Sequence, residues 1–288
     1  MRDIELVVIS DVHLGTVGCR AGELLNYLGS IRPQTLVLNG DIFDIWQFKK
    51  HFWPDTHRQV IKRLIELITD GTQVYYLTGN HDDLLRKYSP IRLGNFKLCD
   101  KLVLELGEKK AWFFHGDIFD VTMGYSKWLG RLGAIGYDFL IVLNRMANFW
   151  SEKMGRGRFS FSKRIKDSVK KAVQYISDFE KVAAEMAIGN GYDFVICGHI
   201  HHPEIRSIQT GKEEVVYMNS GDWIENLSSL EFDNGVWTLY RYQDEFANVE
   251  QQGVQPKYLN REDPAELLDM EYVSEQMRYI IEGYSRNG

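Results

Sequence analysis

Short, wholly apolar runs recur along the first half of the chain, and each stops at glycine and polar residues. Residues 6–9 end at Ser10-Asp11-Val12-His13, residues 36–38 at Asn39-Gly40-Asp41, and residues 74–77 at Thr78-Gly79-Asn80-His81-Asp82. Runs of this length bounded by turn formers read as strands buried on both faces. On an extended Asp11-Val12-His13 segment the two polar side chains would share one side. Between the strands the period changes to that of a helix, over Ala21–Ser30 and over 57–69 through Val60, Ile61, Leu64, Ile65, Leu67 and Ile68. Strands follow at 96–106 and 110–114 around the turn Gly107-Glu108, the second ending at His115-Gly116-Asp117. A mainly helical stretch over 119–191 then gives way to a strand at 192–197, which stops at Gly198-His199-Ile200-His201-His202-Pro203. Further strands are expected at 214–218, before Asn219-Ser220-Gly221-Asp222-Trp223, and at 235–241. The order predicts a mixed α/β protein with early parallel and later antiparallel strands.

The chain has 288 residues, 44% hydrophobic and 26% charged, enough to bury a large core in one domain carrying an insertion. The expected division is a core of 1–118 and 192–243, a helical insertion at 119–191, and a polar tail at 244–288 with one helix near 264–282. A net charge of −6 argues against a general nucleic-acid binder, which needs basic charge for phosphates. Cys19, Cys99 and Cys197 show no paired spacing, which suits a reducing compartment. The N-terminus enters a strand within a few residues, and the mid-chain apolar run at 139–143 is too short to span a bilayer. A soluble cytoplasmic protein is expected.

One strand ending in Gly-Asp is an ordinary turn, and one histidine after a strand is usually a structural hydrogen-bonder. Here five strand ends carry Asp11, His13, Asp41, Asn80, His115, His199 and His201. Mixed imidazole and carboxylate donors suit borderline divalent ions such as Mn²⁺, Fe²⁺ or Zn²⁺, and seven donors exceed what one ion needs. Asp44, Asp117 and His202 read as structural or supporting as readily as functional, and Cys197 as a small buried hydrophobe.

The blocks Asp11-x-His13, Gly40-Asp41-x-x-Asp44, Gly79-Asn80-His81-Asp82, His115-Gly116-Asp117 and Gly198-His199-x-His201, in that order, resemble the calcineurin-like metallophosphoesterase superfamily. The resemblance implies a two-sheet αββα sandwich with an inserted helical subdomain and a di-metal centre at the strand ends. It implies that Asp41 bridges two ligand sets: Asp11, His13, Asp41 and His201, and Asp41, Asn80, His115 and His199. It further implies that His81 contacts the phosphate, with Asp82 orienting its imidazole, and that two divalent ions, Mn²⁺ foremost, are the cofactors.

Within that superfamily the chain is most similar to bacterial UDP-2,3-diacylglucosamine pyrophosphatases of lipid A synthesis. The similar features are Gly40-Asp41-Ile42-Phe43-Asp44-Ile45-Trp46, the long insertion after His115-Gly116-Asp117, and Gly221-Asp222-Trp223. The best-known branch of that family carries arginine where this chain has His81. The implied reaction is cleavage of a lipid-linked nucleotide sugar to UMP and an acylated sugar 1-phosphate. The rivals are another phosphodiester, nucleotide or phosphoprotein as substrate, or a metal-poor scaffold on the same fold.

The insertion is rich in large apolar residues over 125–150, and then carries eight basic residues against two acidic ones over 152–171. Such a segment suits acyl chains beside a pyrophosphate, or peripheral contact with the anionic inner membrane surface, while a self-packed hairpin with a solvated basic face is the plainer reading. Arg158, Ser160, Ser162, Lys163, Lys166 and Lys170 are the candidate substrate contacts. Oligomeric state is left open.

Overall fold

The computed structural model describes residues 1–47, 53–119 and 162–242. Twelve strands among these residues form two sheets. The first is seven-stranded, in the order β12-β11-β1-β2-β3-β5-β4, and the second five-stranded, in the order β6-β7-β8-β10-β9. The strands are β1 (Arg2–Ile9), β2 (Ile31–Asn39), β3 (Gln73–Leu77), β4 (Ile91–Leu93), β5 (Phe96–Cys99), β6 (Lys101–Leu106), β7 (Lys109–Phe114), β8 (Phe194–Cys197), β9 (Glu204–Thr210), β10 (Glu213–Asn219), β11 (Ser228–Asp233) and β12 (Val236–Arg241). The α-helices among the described residues are α1 (Ala21–Ser30), α2 (Asp55–Thr69) and α3 (Ser162–Gly189).

Strand alternation builds the layers. Val7 and Ile9 of β1, with Leu36 and Leu38 of β2, pack against α1 and α2. Their neighbours Leu6, Val8 and Val37 face the other way and meet Phe113, Ile196 and Met218 of the second sheet. The far face of that sheet, with Trp112, Val195 and Tyr217, packs on Phe179, Ala183, Ala184 and Ala187 of α3. Helices, sheet, sheet, helix: this is the expected αββα sandwich, and the central strands of both sheets are apolar on both faces because both faces are covered there.

Parallel pairing fixes where the polar ends fall. β1, β2, β3 and β5 run parallel in the first sheet, as do β7, β8 and β10 in the second. Each parallel set therefore ends its strands along one edge. Asn39 Nδ2 donates to the carbonyl of Phe114 (3.1 Å), tying the end of β2 to the end of β7 across the two sheets.

Three sequence expectations need correction. Residues 96–106 are not one strand: the chain breaks at Asp100, so β5 lies in the first sheet and β6 in the second. β4, β9 and β11 were not anticipated. The later strands are not simply antiparallel, since β8 pairs parallel with both β7 and β10. The tail helix expected near 264–282 and the apolar stretch at 125–150 lie outside the described residues. No described helix is long and apolar enough to cross a membrane.

Candidate metal centre

The seven donors gather where the strands of both sheets end. His201 Nε2 lies 3.1 Å from Asp11 Oδ1, and His115 Nε2 lies 3.2 Å from Asp41 Oδ2 and 3.3 Å from Asn80 Oδ1. The rings of His115 and His199 are 5.2 Å apart, and those of His13 and His201 5.7 Å. Ligand atoms fall within 4.8 Å of one another in three linked groups: Asp11, His13 and His201; His13, Asp41 and His81; Asp41, His115 and His199. His13 links the first group to the second, and Asp41 links the second to the third.

The loops that present these side chains interlock through their backbones. The N–H groups of Asp11 and His13 donate to the carbonyls of Gly40 and Asp41 (3.1 and 3.0 Å), and that of Gly198 to the carbonyl of His115 (2.9 Å). Asp11 and His13 do not lie on an extended segment. They have φ of 52° and 53°, and Asp41, His199 and His201 share this left-handed conformation at 53°, 69° and 50°. Such conformations are uncommon for non-glycine residues and persist where surrounding structure enforces them. Gly79 is required for packing: a Cβ there would overlap the Asp41 carboxylate.

Burial would by itself disfavour the carboxylates' charge, yet the surrounding histidines reverse it. His201 and His115 bring Asp11 down to about 2, and His115, His13 and His81 hold Asp41 well below the usual carboxylate range. Reciprocally, burial would lower His201 and His115, but Asp11 lifts His201 to about 9, and Asp41 with Asp11 lifts His115 well above its ordinary value.

This donor set fits divalent metal ions. Asp11 Oδ1 and His13 Nε2 are buried with no hydrogen-bond partner of adequate geometry. His115 Nδ1 is 2.9 Å from the carbonyl of Asn39, which can only accept, so Nδ1 carries a proton and Nε2 is the nitrogen that a metal would take in place of its proton.

Around the donors the structure corrects one role. Asp82 does not orient His81. Its Oδ1 accepts from the Gly79 N–H (2.6 Å), and its Oδ2 accepts from the Ile42 N–H (3.0 Å) and the Tyr76 hydroxyl (2.5 Å). The carboxylate beside the imidazole is Asp44, whose Oδ2 is 2.9 Å from His81 Nδ1 and 3.5 Å from His13 Nδ1. Burial would lower His81, but Asp44 and Asp41 raise it above its ordinary value. The His81 N–H donates to Asp41 Oδ1 (2.7 Å), so this residue is held at both backbone and side chain.

Two supporting residues were missed. Arg86 holds the Gly79-Asn80 loop by donating to the carbonyls of Thr78 and Gly79 (3.2 and 3.4 Å) and to Asp117 Oδ2 (3.0 Å). Asp222 Oδ1 accepts from the N–H groups of Ile224 and Glu225 (2.8 and 2.6 Å), ordering a turn whose Asn226 donates to the carbonyl of His201 (3.0 Å). The Gly221-Asp222-Trp223 motif was the available signal for the second; nothing in the sequence pattern marks Arg86. Cys197 is fully buried. Of the candidate substrate contacts, Arg158 and Ser160 lie outside the described residues, while Ser162, Lys163, Lys166 and Lys170 fall in the first third of α3.

The fold and this array of donors define a metal-dependent phosphoesterase. The family model for calcineurin-like phosphoesterases matches residues 4–203, and the chain belongs to that family. Among curated relatives it is 26% identical over 239 residues to a UDP-2,3-diacylglucosamine hydrolase of Stenotrophomonas maltophilia, covering 80% of this chain and 96% of the relative. Proteins of the same name match from Aliivibrio fischeri, at 23% identity over 82% of this chain and 98% of the relative, and from Haemophilus influenzae, at 26% over 77% and 92%. The chain is a hydrolase of the metal-dependent kind.

Proposed function

We propose that this hydrolase cleaves the pyrophosphate bond of UDP-2,3-diacylglucosamine, giving UMP and the acylated sugar 1-phosphate. The observation that carries the reading is the near-complete span of relatives bearing that activity in their names, together with the seven donors brought to one edge. In this reading Asp11, His13, Asp41 and His201 hold one divalent ion, and Asp41, Asn80, His115 and His199 hold the other. Two such ions, Mn²⁺ foremost and Fe²⁺ or Zn²⁺ by the same donor chemistry, would supply Lewis-acid stabilisation of a phosphoryl group and a lowered pKa for water at neutral pH.

The chain's own residues do the rest. Asp44 fixes the His81 ring through Nδ1, leaving Nε2 as the atom that donates a proton to the departing oxygen. The hydrogen bond to Asp44 favours the protonated imidazole needed for that donation. Asp82, held on backbone N–H groups, keeps the Gly79 turn that carries Asn80. The inserted segment, with its apolar then basic character, takes the acyl chains and the pyrophosphate, and contacts the anionic inner membrane surface.

The test is direct hydrolysis of the diacylated UDP-sugar by the purified chain with Mn²⁺, with product analysis. Release of UMP supports the reading. Turnover of a simple aryl phosphodiester with the UDP-sugar left intact overturns it. That outcome favours a second reading, action on another phosphodiester, for which His81 in place of the arginine of the best-known branch speaks. Asp41→Ala is expected to lose both metals, and His81→Ala to keep them while kcat falls by about 10²–10⁴-fold. Metal analysis of each variant checks the ligand division: a full metal complement in Asp41→Ala would show it to be wrong.

A further inference from the structure

Among the described residues, one cluster of ligating side chains lies outside the centre at the strand ends. Glu180 on α3, His202, and Glu204 at the start of β9 bring one ligand atom each within 4.8 Å of the others. His202 Nδ1 stands 3.7 Å from Glu180 Oε1 and 3.7 Å from Glu204 Oε2. These separations are long for hydrogen bonds. They approach the edge of a ligand tetrahedron around Zn²⁺, about 3.3 Å for bonds of ~2.0–2.1 Å.

A second observation points to a ligand. Glu180 is only 3% exposed, and its Oε1, aimed at His202, is buried without a hydrogen-bond partner. Arg206 engages the other oxygen of Glu180, and its Nε lies 3.4 Å from Glu204 Oε2. One guanidinium serves both carboxylates, Glu180 and Glu204, at a half-buried site. Burial pushes the Glu180 carboxyl up, and Arg206 only partly offsets this. Buried carboxylate oxygens without a partner are rare because their desolvation is uncompensated.

We propose that Glu180, His202 and Glu204 form a separate divalent-cation site of the Zn²⁺ type, with water completing the coordination. His202 has a half-exposed side chain, which gives the ion a route in. The site is structural. α3 leads out of the inserted segment, and β9 is the edge strand of the second sheet. His202 directly follows His201, so a cation here clamps the base of the insertion to the loop that carries His199 and His201.

The experiment compares Zn²⁺ stoichiometry, by equilibrium dialysis and elemental analysis, in the full chain and in a His202→Gln/Glu204→Gln double variant. Neither residue belongs to the centre at the strand ends, and both side chains are part-exposed, so the fold is retained. The variant is expected to bind one Zn²⁺ fewer than the parent and to lose part of the Zn²⁺-induced rise in Tm. Its Mn²⁺-dependent hydrolysis of an aryl phosphodiester is expected to stay within about twofold of the parent. Equal stoichiometry with unchanged affinities in parent and variant, or no Zn²⁺ bound by the parent, overturns the proposal. The readout is a difference between two proteins, so it is independent of which substrate the hydrolase takes. In an Asp41→Ala background one Zn²⁺ is expected to persist and to vanish with the double substitution.

Discussion

Asp44 and Asp82 are both buried aspartates within reach of the His81 loop, and their contacts separate their roles. Asp44 touches imidazoles, whereas Asp82 touches two backbone N–H groups and a phenol. Asp44→Asn is therefore expected to keep the fold and, at saturating Mn²⁺, the metals, while kcat drops at least tenfold as the His81 ring loses its anchor. Asp82→Asn is expected instead to cost about 1–3 kcal/mol of stability, because a charged acceptor of buried N–H groups becomes a neutral amide. Steady-state kinetics beside denaturant melts read both, and reversal of the two phenotypes would refute the assignment. The gathering of the seven side chains at one edge was legible because each follows a strand and a turn. The pairing of His81 with Asp44 was not: adjacency in sequence favours Asp82, but the backbone after Asn80 turns Asp82 back onto Gly79. The left-handed backbone at Asp11, His13, Asp41, His199 and His201 was equally hidden, since only glycine signals positive φ in a sequence.

At the scale of elements, the buried parallel strands and α1 stood out, because continuous apolar runs and a 3.6-residue period have few other readings. The edges did not. β9 reads Glu204–Thr210 with mostly part-exposed and exposed residues, and β4 is exposed throughout, so neither has an apolar run to announce it. The break at Asp100 is marked only by the adjacent polar pair Asp100-Lys101, and Leu98 and Leu102 keep the same parity on either side of it while the chain changes sheet. Helix α2 carries a feature that periodicity also missed. His57 is buried, and its Nδ1 accepts from the Gly15 N–H (3.1 Å), which requires the neutral ring. Burial lowers it from 6.5 to about 4. The unfolded chain thus binds more protons than the folded one between those values. Stability from this residue is complete above about pH 6.5 and is lost as pH falls toward 4, by roughly 2–3 kcal/mol. Urea melts across that window are expected to show a shallower pH slope in His57→Gln than in the parent. Parallel slopes would show that another group carries the acid sensitivity.

Across the whole molecule, the two sheets close on one another through a core that includes Leu6, Val37, Phe113, Ile196 and Leu230, and this contact brings the two sets of strand ends together. The last described turn of chain is part of that body. The Tyr242 N–H donates to the carbonyl of Leu227 (3.0 Å), its hydroxyl accepts from Asn26 Nδ2 (3.1 Å), and its ring lies 6.3 Å from Trp223, whose own N–H donates to the carbonyl of Asp11 (3.0 Å). A chain of contacts therefore runs from residue 242 to the metal-centre loop. The relatives are covered almost in full by 80% of this chain, which places the remainder beyond what they share. From these two facts we expect the core to end just after Tyr242, with 244–288 dispensable for metal binding. A protein of residues 1–243 is expected to keep its metal content and a Tm within about 3 °C of the full chain, since a shift that small corresponds to ~1 kcal/mol or less. Removing Tyr242 as well should do more. Its loss opens the Trp223 side of the core and is expected to cost about 2–4 kcal/mol, by analogy with other buried aromatic truncations. Calorimetry and metal analysis on the two truncations decide the boundary: a 1–243 protein that aggregates or loses its metals would place the tail inside the domain.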